Sequence, residues 1–106
     1  MMNSIIGGLK PDIVNRINTV FAKHPQIEKV MLYGSRAMGN YKNGSDIDLV
    51  IMGSNIDVSL LNRIIDELDD LLLPYTIDLS LYSHLDNKDL IDHIRRVGAD
   101  FYIRDC

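Results

Sequence analysis

The sequence predicts a small α/β (α+β) domain, built on a mixed β-sheet of about four strands with helices on one face. Apolar residues recur at helical spacing in three segments and follow strand patterns in four others. These segments follow one another in the order helix, strand, strand, helix, strand, helix, strand. Such an order is typical of a small sheet that is covered by the helices between its strands.

Length and composition limit the possible functions. The chain has 106 residues, 46% of them apolar, which suits a single globular domain over residues 1–106. Acidic residues outnumber basic ones by 15 to 11 and the formal charge is −4, so we expect no direct nucleic-acid contact. The start, MMNSIIGGLK, has neither a basic region nor a long apolar run, which predicts a cytoplasmic protein without a membrane span. The single cysteine, Cys106, excludes an intrachain disulfide.

The first half of the chain predicts a helix, a strand and a turn. The helix begins at Pro11, whose fixed backbone suits a first turn, and it ends before Pro25. Its apolar residues are Ile13, Val14, Ile17, Val20 and Phe21. Ile27–Tyr33 is predicted to form the first strand, which Gly34 ends. A helical turn at Arg36–Gly39 then precedes the turn-rich segment NYKNGS.

The second half predicts two further helices and three further strands. Asp46–Met52 has the pattern of a strand, and an amphipathic helix follows it and closes before Pro74. The apolar stripe of that helix comprises Leu61, Ile64, Ile65, Leu68, Leu71 and Leu72. Thr76–Tyr82 alternates as a strand does, Asn87–Val97 predicts a shorter helix, and Ala99–Arg104 predicts an edge strand.

Three aspartates are predicted to lie on one face of the sheet. Side chains alternate along a strand, so Asp46 and Asp48 point to one side while Ile47 and Leu49 point to the other. The same alternation directs Asp78 away from the helices. If the two strands are neighbours, three carboxylates gather on the open face, with the Cα atoms of Asp46 and Asp48 about 7 Å apart.

This carboxylate group indicates a site for a hard divalent cation. Like charges at such distances raise at least one pKa and lower stability unless a cation neutralises them. Carboxylate oxygens favour Mg²⁺ or Mn²⁺, and two such ions about 4 Å apart activate an attacking hydroxyl and stabilise a leaving pyrophosphate. The alternative is that the aspartates are ordinary polar residues on a solvated sheet face. The rarity of aspartate in strands and the third member on the same face weigh against that alternative.

A Gly-Ser pair precedes these aspartates and suggests a phosphate site. Gly34 allows the backbone to approach a phosphate closely, and Ser35 offers a hydroxyl at the start of a helical turn. Arg36 adds positive charge for a triphosphate or for the carboxylates. The alternative is a plain strand-to-helix turn with a serine cap.

Taken together, the motifs resemble those of a known family. Gly34-Ser35, ten intervening residues and Asp46-Ile47-Asp48 resemble the signature of the DNA polymerase β-like nucleotidyltransferase superfamily. The run GSRAMGNYKNGSDIDLVI looks like that of its minimal nucleotidyltransferase (MNT) members, including those that act as antitoxins. Asp78, in TIDLSL, matches the third carboxylate of the family.

The resemblance implies a role for each of these residues. Those matching Asp46 and Asp48 bind two divalent metal ions, and the one matching Asp78 binds the metal that activates the acceptor hydroxyl. Gly34 and Ser35 match the turn that holds the β- and γ-phosphates, and Ser45 is a weaker candidate phosphate contact. The implied reaction is attack of a hydroxyl on the α-phosphate of ATP with loss of pyrophosphate, dependent on Mg²⁺ or Mn²⁺.

The acceptor remains open at this point. The resemblance implies a small helical partner, either a HEPN-type toxin modified on a tyrosine hydroxyl or a substrate-binding subunit that presents a small molecule. A third alternative is a non-catalytic module that neutralises its partner by contact, which the intact set of aspartates disfavours. We also expect a homodimer or hetero-oligomer through exposed apolar surface or an edge strand. His24, His84 and His93 are expected on surfaces or helix ends, without a catalytic role.

Overall fold

The computed structural model describes residues 6–104, so Cys106 lies outside the described residues. Helix α1 spans Pro11–Ala22, β1 Ile27–Tyr33, α2 Ser35–Met38, β2 Ile47–Gly53, α3 Val58–Asp69, β3 Ile77–Leu81, a short 3₁₀ turn Tyr82–His84, α4 Lys88–Val97 and β4 Ala99–Ile103. These elements match the predicted order, and the predicted α/β (α+β) fold class is confirmed. None of the helices within the described residues has the length and apolar character needed to cross a membrane.

The strands form one mixed sheet in the order β3-β2-β1-β4. β1 pairs antiparallel with both β2 and β4, while β2 and β3 run parallel. A parallel pair requires a crossover connection, and α3 provides it. Asp57 starts α3 by accepting a hydrogen bond from the Leu60 amide at 2.8 Å, which satisfies one of the free amide groups of the first turn.

The main core lies between one sheet face and the helices α1 and α3. The inward positions predicted for β2 and β3 are confirmed, because their alternate residues are buried there with the apolar stripes of both helices. The buried members on the sheet side include Val30, Leu32, Ile47, Leu49, Ile51, Leu79 and Leu81. Burial of this apolar surface is the principal favourable term in folding.

The expectation that the helices cover one face holds for α1 and α3 but is wrong for α4. Helix α4 packs on the opposite face, where Ile94 contacts a second cluster that contains Tyr33 and Val50. Val50 follows Asp48 on its side of β2 and is fully buried. Helix α4 therefore covers the middle of that face, while Asp48 stands beside the covered part.

Two further expectations are corrected. Leu72 was placed on the apolar stripe of α3, but the helix ends at Asp69 and Leu72 is 87% exposed. His24 is expected on a surface or at a helix end; it directly follows the C-cap of α1, but it is buried and its Nε2 lies 2.7 Å from Glu67 of α3. The contact with Glu67 satisfies the buried imidazole ring of His24. The periodicity of the sequence does not reveal such a long-range partner.

Candidate active site

The turn between β1 and α2 packs directly against an aspartate. Gly34 has φ 76° and ψ −155°, a conformation that is essentially restricted to glycine. A Cβ atom at this position would also collide with the Asp48 carboxylate. Glycine is therefore required here both by the backbone conformation and by the closeness of the carboxylate.

Two of the predicted carboxylates stand side by side. Asp48 pairs with Tyr33 across the antiparallel β1–β2 ladder and with Asp78 across the parallel β2–β3 ladder. Paired residues on adjacent strands lie about 5 Å apart and point to the same face. The strands are thus the neighbours that the sequence analysis required, and Asp48 and Asp78 leave the sheet together beside Gly34.

Asp46 completes the group from the loop that enters β2. It is exposed and precedes Ile47, the first residue of the strand. Burial raises the pKa of Asp48, and the negative charges of Asp78 and Asp46 raise it further. Asp46 and Asp78 therefore both act electrostatically on Asp48, although they come from two separate segments.

The carboxylate groups of Asp46, Asp48 and Asp78 suit a hard divalent cation. Within residues 6–104, no three acidic, histidine or cysteine side chains stand close enough together to hold a metal ion as they are arranged. The carboxylates would thus have to turn toward a shared ion. Carboxylate oxygens are the ligands that Mg²⁺ prefers, and a cation would offset the repulsion from Asp78 and Asp46 that adds to burial in raising the pKa of Asp48.

Two serines are predicted to contact phosphate: one begins α2 and the other lies near the end of the loop between α2 and β2. Ser35 is half-buried and begins α2 directly after Gly34. The Ser45 hydroxyl accepts a hydrogen bond from the Lys42 amide at 2.8 Å and so closes a local turn. Its contact with a phosphate stays a prediction.

Arg36 is buried and hydrogen-bonded to backbone carbonyls. Its Nε and Nη2 donate to the Ser45 carbonyl at 3.1 and 3.0 Å, and its Nη1 donates to the Gly7 carbonyl at 2.8 Å. The guanidinium also lies 5.1 Å from the ring centres of both Tyr41 and Tyr75. The predicted contact with a triphosphate stays a prediction, since this side chain is engaged elsewhere.

His93 is a site residue that the sequence analysis missed. It lies in the middle of α4, and its Nε2 accepts a hydrogen bond from the Gly34 amide at 3.1 Å, so the neutral ring carries its proton on Nδ1. Its ring meets the Tyr33 ring edge-on at 6.3 Å. The available signal was its spacing, three residues after Leu90 and one before Ile94, which puts it on the apolar side of the helix.

Several solved structures share the fold of this chain. A chain in the crystal structure of a toxin–antitoxin complex with AMP-PNP has a TM-score of 0.70 at 19% identity, covering 86% of this chain and 73% of that one. One in the structure of the tri-AMPylated Shewanella oneidensis HEPN toxin with its MNT antitoxin has a TM-score of 0.64 at 17% identity, covering 87% and 71%. One in an MntA–HepT complex has a TM-score of 0.66 at 16% identity, covering 90% and 74%.

At these identities the similarity establishes the fold. No curated protein matches the sequence significantly. The family model described as polymerase beta, nucleotidyltransferase matches residues 15–106, which include the Gly34 turn and all three aspartates. The chain therefore belongs to the polymerase beta nucleotidyltransferase family and is a nucleotidyltransferase.

Proposed function

We propose that this chain is a minimal nucleotidyltransferase that transfers AMP from ATP to a hydroxyl group of a small helical partner protein of the HEPN type. In this role it is the antitoxin of a toxin–antitoxin pair. The observation that carries the proposal is the pairing of Asp48 with Asp78 next to the Gly34 turn. A carboxylate group beside a turn that admits a phosphate is the arrangement that nucleotidyl transfer needs.

The proposed roles are those that the family resemblance implies. Asp46 and Asp48 would hold two divalent ions, Mg²⁺ or Mn²⁺, and Asp78 would hold one of them and accept the proton of the acceptor hydroxyl. When bound, the ions supply the positive charge that polarises the attacking hydroxyl and stabilises the leaving pyrophosphate. Gly34 and Ser35 receive the β- and γ-phosphates, because the backbone there is free of a Cβ and begins a helix.

The reaction is a displacement at phosphorus. The acceptor oxygen attacks the α-phosphorus of ATP, a new oxygen–phosphorus bond forms, and the bond to pyrophosphate breaks. The acceptor loses its proton to Asp78. The chain's contribution is largely to hold the reacting groups in line.

The HEPN-type acceptor is supported by the fold comparison. One of the similar structures is described as a tri-AMPylated HEPN toxin in complex with an MNT antitoxin. A tyrosine hydroxyl is the proposed acceptor group. The other acceptor class, a small molecule presented by a separate helical subunit, is distinguished by experiment.

A labelling assay tests the proposal. The purified chain is incubated with Mg²⁺ in a lysate of its host, with ATP labelled on the α-phosphate in one sample and on the γ-phosphate in another. We expect the α-label, and not the γ-label, on one discrete small protein that mass spectrometry identifies. Asp48→Asn should abolish the label, since it removes a metal ligand while keeping the size of the side chain.

Other outcomes would overturn the proposed acceptor or the activity. Label in a small molecule or in RNA would exclude protein as the acceptor. Absence of label with the partner shown to be present, together with protection of cells by Asp48→Asn, would establish a binding module that acts by contact. Label that persists in purified Asp48→Asn would exclude the proposed site.

A further inference from the structure

The loop that carries Asp46 is exposed over most of its length. It runs from Gly39 to Asp46, between α2 and β2, and residues 39–44 are all exposed. Within the loop, the Ser45 amide donates to the Lys42 carbonyl at 3.0 Å and the Ser45 hydroxyl accepts from the Lys42 amide. These bonds close a turn but do not attach it to the rest of the domain.

Arg36 supplies that attachment. Two of its nitrogens donate to the Ser45 carbonyl, which belongs to the residue immediately before Asp46. A third nitrogen donates to the Gly7 carbonyl at 2.8 Å. The residue is only 4% exposed, and its charge is stabilised by carbonyl dipoles and by the faces of Tyr41 and Tyr75.

The Gly7 carbonyl that Arg36 contacts belongs to a turn of two glycines. Gly7 and Gly8 have φ values of 56° and 77°, and the Leu9 amide donates to the Ile6 carbonyl at 2.9 Å to close the turn. A Cβ atom at Gly8 would collide with the Tyr41 ring. The turn therefore packs against the same loop that Arg36 holds. We call Arg36, Tyr41, Tyr75 and the Gly7–Gly8 turn the loop anchor.

We propose that Arg36 is a positioning residue: through the loop anchor it fixes Ser45, and hence Asp46, rather than contacting the triphosphate. The consequence for catalysis rests on the proposed function, whereas the effect on the loop does not. A buried guanidinium with three bonds to carbonyls on two segments holds its position far better than an exposed side chain does. No phosphate is needed to explain its charge.

Lysine cannot replace arginine in this role. The guanidinium is a planar fork that reaches two acceptors at once, whereas an ammonium is a point charge on a flexible stem. As a phosphate ligand, by contrast, lysine retains much of the function of arginine because it keeps the charge. The Arg36→Lys variant therefore distinguishes a role of Arg36 in positioning the loop from a role in binding phosphate.

The experiment combines hydrogen exchange with kinetics. Exchange of the Lys42 and Ser45 amides is measured in the free protein, without ATP or partner, for wild type, Arg36→Lys and Gly8→Ala. Arg63→Lys, on the exposed surface of α3, is the control. We expect both anchor variants to exchange severalfold faster at these amides and the control to match wild type, because each variant weakens the contact that holds the loop.

Transfer kinetics provide the second readout. We expect kcat to fall about 10- to 100-fold in Arg36→Lys and Gly8→Ala, because small misplacement of a reacting group has effects of that order. The KM for ATP should change much less. Gly8→Ala replaces no residue of the loop and no predicted phosphate contact, so it also tests the anchor if Arg36→Lys fails to fold.

Two results would overturn the inference. Unchanged exchange at Lys42 and Ser45 in a folded anchor variant would show that the loop is held by other contacts. A raised KM for ATP in Arg36→Gln, with Arg36→Lys close to wild type in kcat and exchange, would make Arg36 a direct phosphate ligand. If wild type transfers no nucleotide, the proposed function fails, while the exchange data still decide whether the anchor exists.

Discussion

Asp48 and Asp78 occupy paired positions on the parallel strands β2 and β3, so two carboxylates that are distant in sequence leave the sheet side by side. Their mutual repulsion adds to the effect of burial and raises the pKa of Asp48. A fold that places like charges together loses stability unless a bound cation recovers it. The pair therefore links the topology of the sheet to the chemistry proposed for the site.

Asp78→Asn should separate nucleotide binding from transfer. The variant keeps the side-chain volume but loses the negative charge that is proposed to accept the acceptor's proton. We expect kcat to fall by roughly 10²- to 10⁴-fold, the usual contribution of a positioned acid or base, with ATP affinity changed much less. Calorimetry with a non-hydrolysable ATP analogue and the labelling assay measure the two quantities. Equal losses of both would assign Asp78 to nucleotide binding instead.

Gly34→Ala should damage both stability and activity. The added Cβ meets the Asp48 carboxylate, and the backbone conformation disfavours any residue with a side chain. We expect the free energy of unfolding in urea to fall by about 1–3 kcal/mol, the cost of such backbone strain, and transfer to be lost. Gly44→Ala is the matched control, because a Cβ atom there meets nothing within 4 Å. A Gly34→Ala variant as stable as this control would contradict the strained turn.

Stability of the metal-free protein should depend on pH through Asp48. Burial, together with Asp78 and Asp46, raises its folded pKa above the ordinary value of 3.8, so between these two values the folded state binds more protons than the unfolded state. Stability contributed by protonated Asp48 is therefore lost as pH rises through the folded pKa.

Asp48→Asn should remove this loss. We expect the Tm of the variant in EDTA to match that of wild type in acid and to exceed it increasingly as pH rises, reaching a constant difference above the folded pKa. Added Mg²⁺ should raise the Tm of wild type but not that of the variant, since only the native site binds the ion. A Tm difference that does not vary with pH would contradict the assigned cause.

His93 should contribute to nucleotide binding through Gly34. His93→Leu removes the acceptor for the Gly34 amide and leaves the turn less well held. We expect ATP affinity to fall roughly fivefold, because one such hydrogen bond contributes about 1 kcal/mol. His93→Gln retains an acceptor oxygen and should recover part of the affinity. Equal ATP binding by wild type and His93→Leu in calorimetry would contradict the role.

Most secondary structure could be predicted because it is encoded locally. The proline at the start of α1, the alternation in β3 and the stripe of α3 depend only on near neighbours in the chain. The face covered by α4 could not be predicted, because it depends on Ile94 packing in one cluster with Tyr33 and Val50, which are far from it in the chain. The prediction for Leu72 is wrong for a different reason, since helical spacing continues in the sequence past Asp69, where the helix ends.

The sequence alone determined the family resemblance, the candidate aspartates and the Gly34-Ser35 turn, since these depend on residue type and spacing within short segments. Tertiary structure alone decided that β2 and β3 are parallel neighbours, that His93 reaches the Gly34 amide, and that Arg36 is buried against the Gly7–Gly8 turn. These contacts join segments far apart in the chain. Strand order and helix packing, set by burial of apolar surface over the whole domain, bring such segments together.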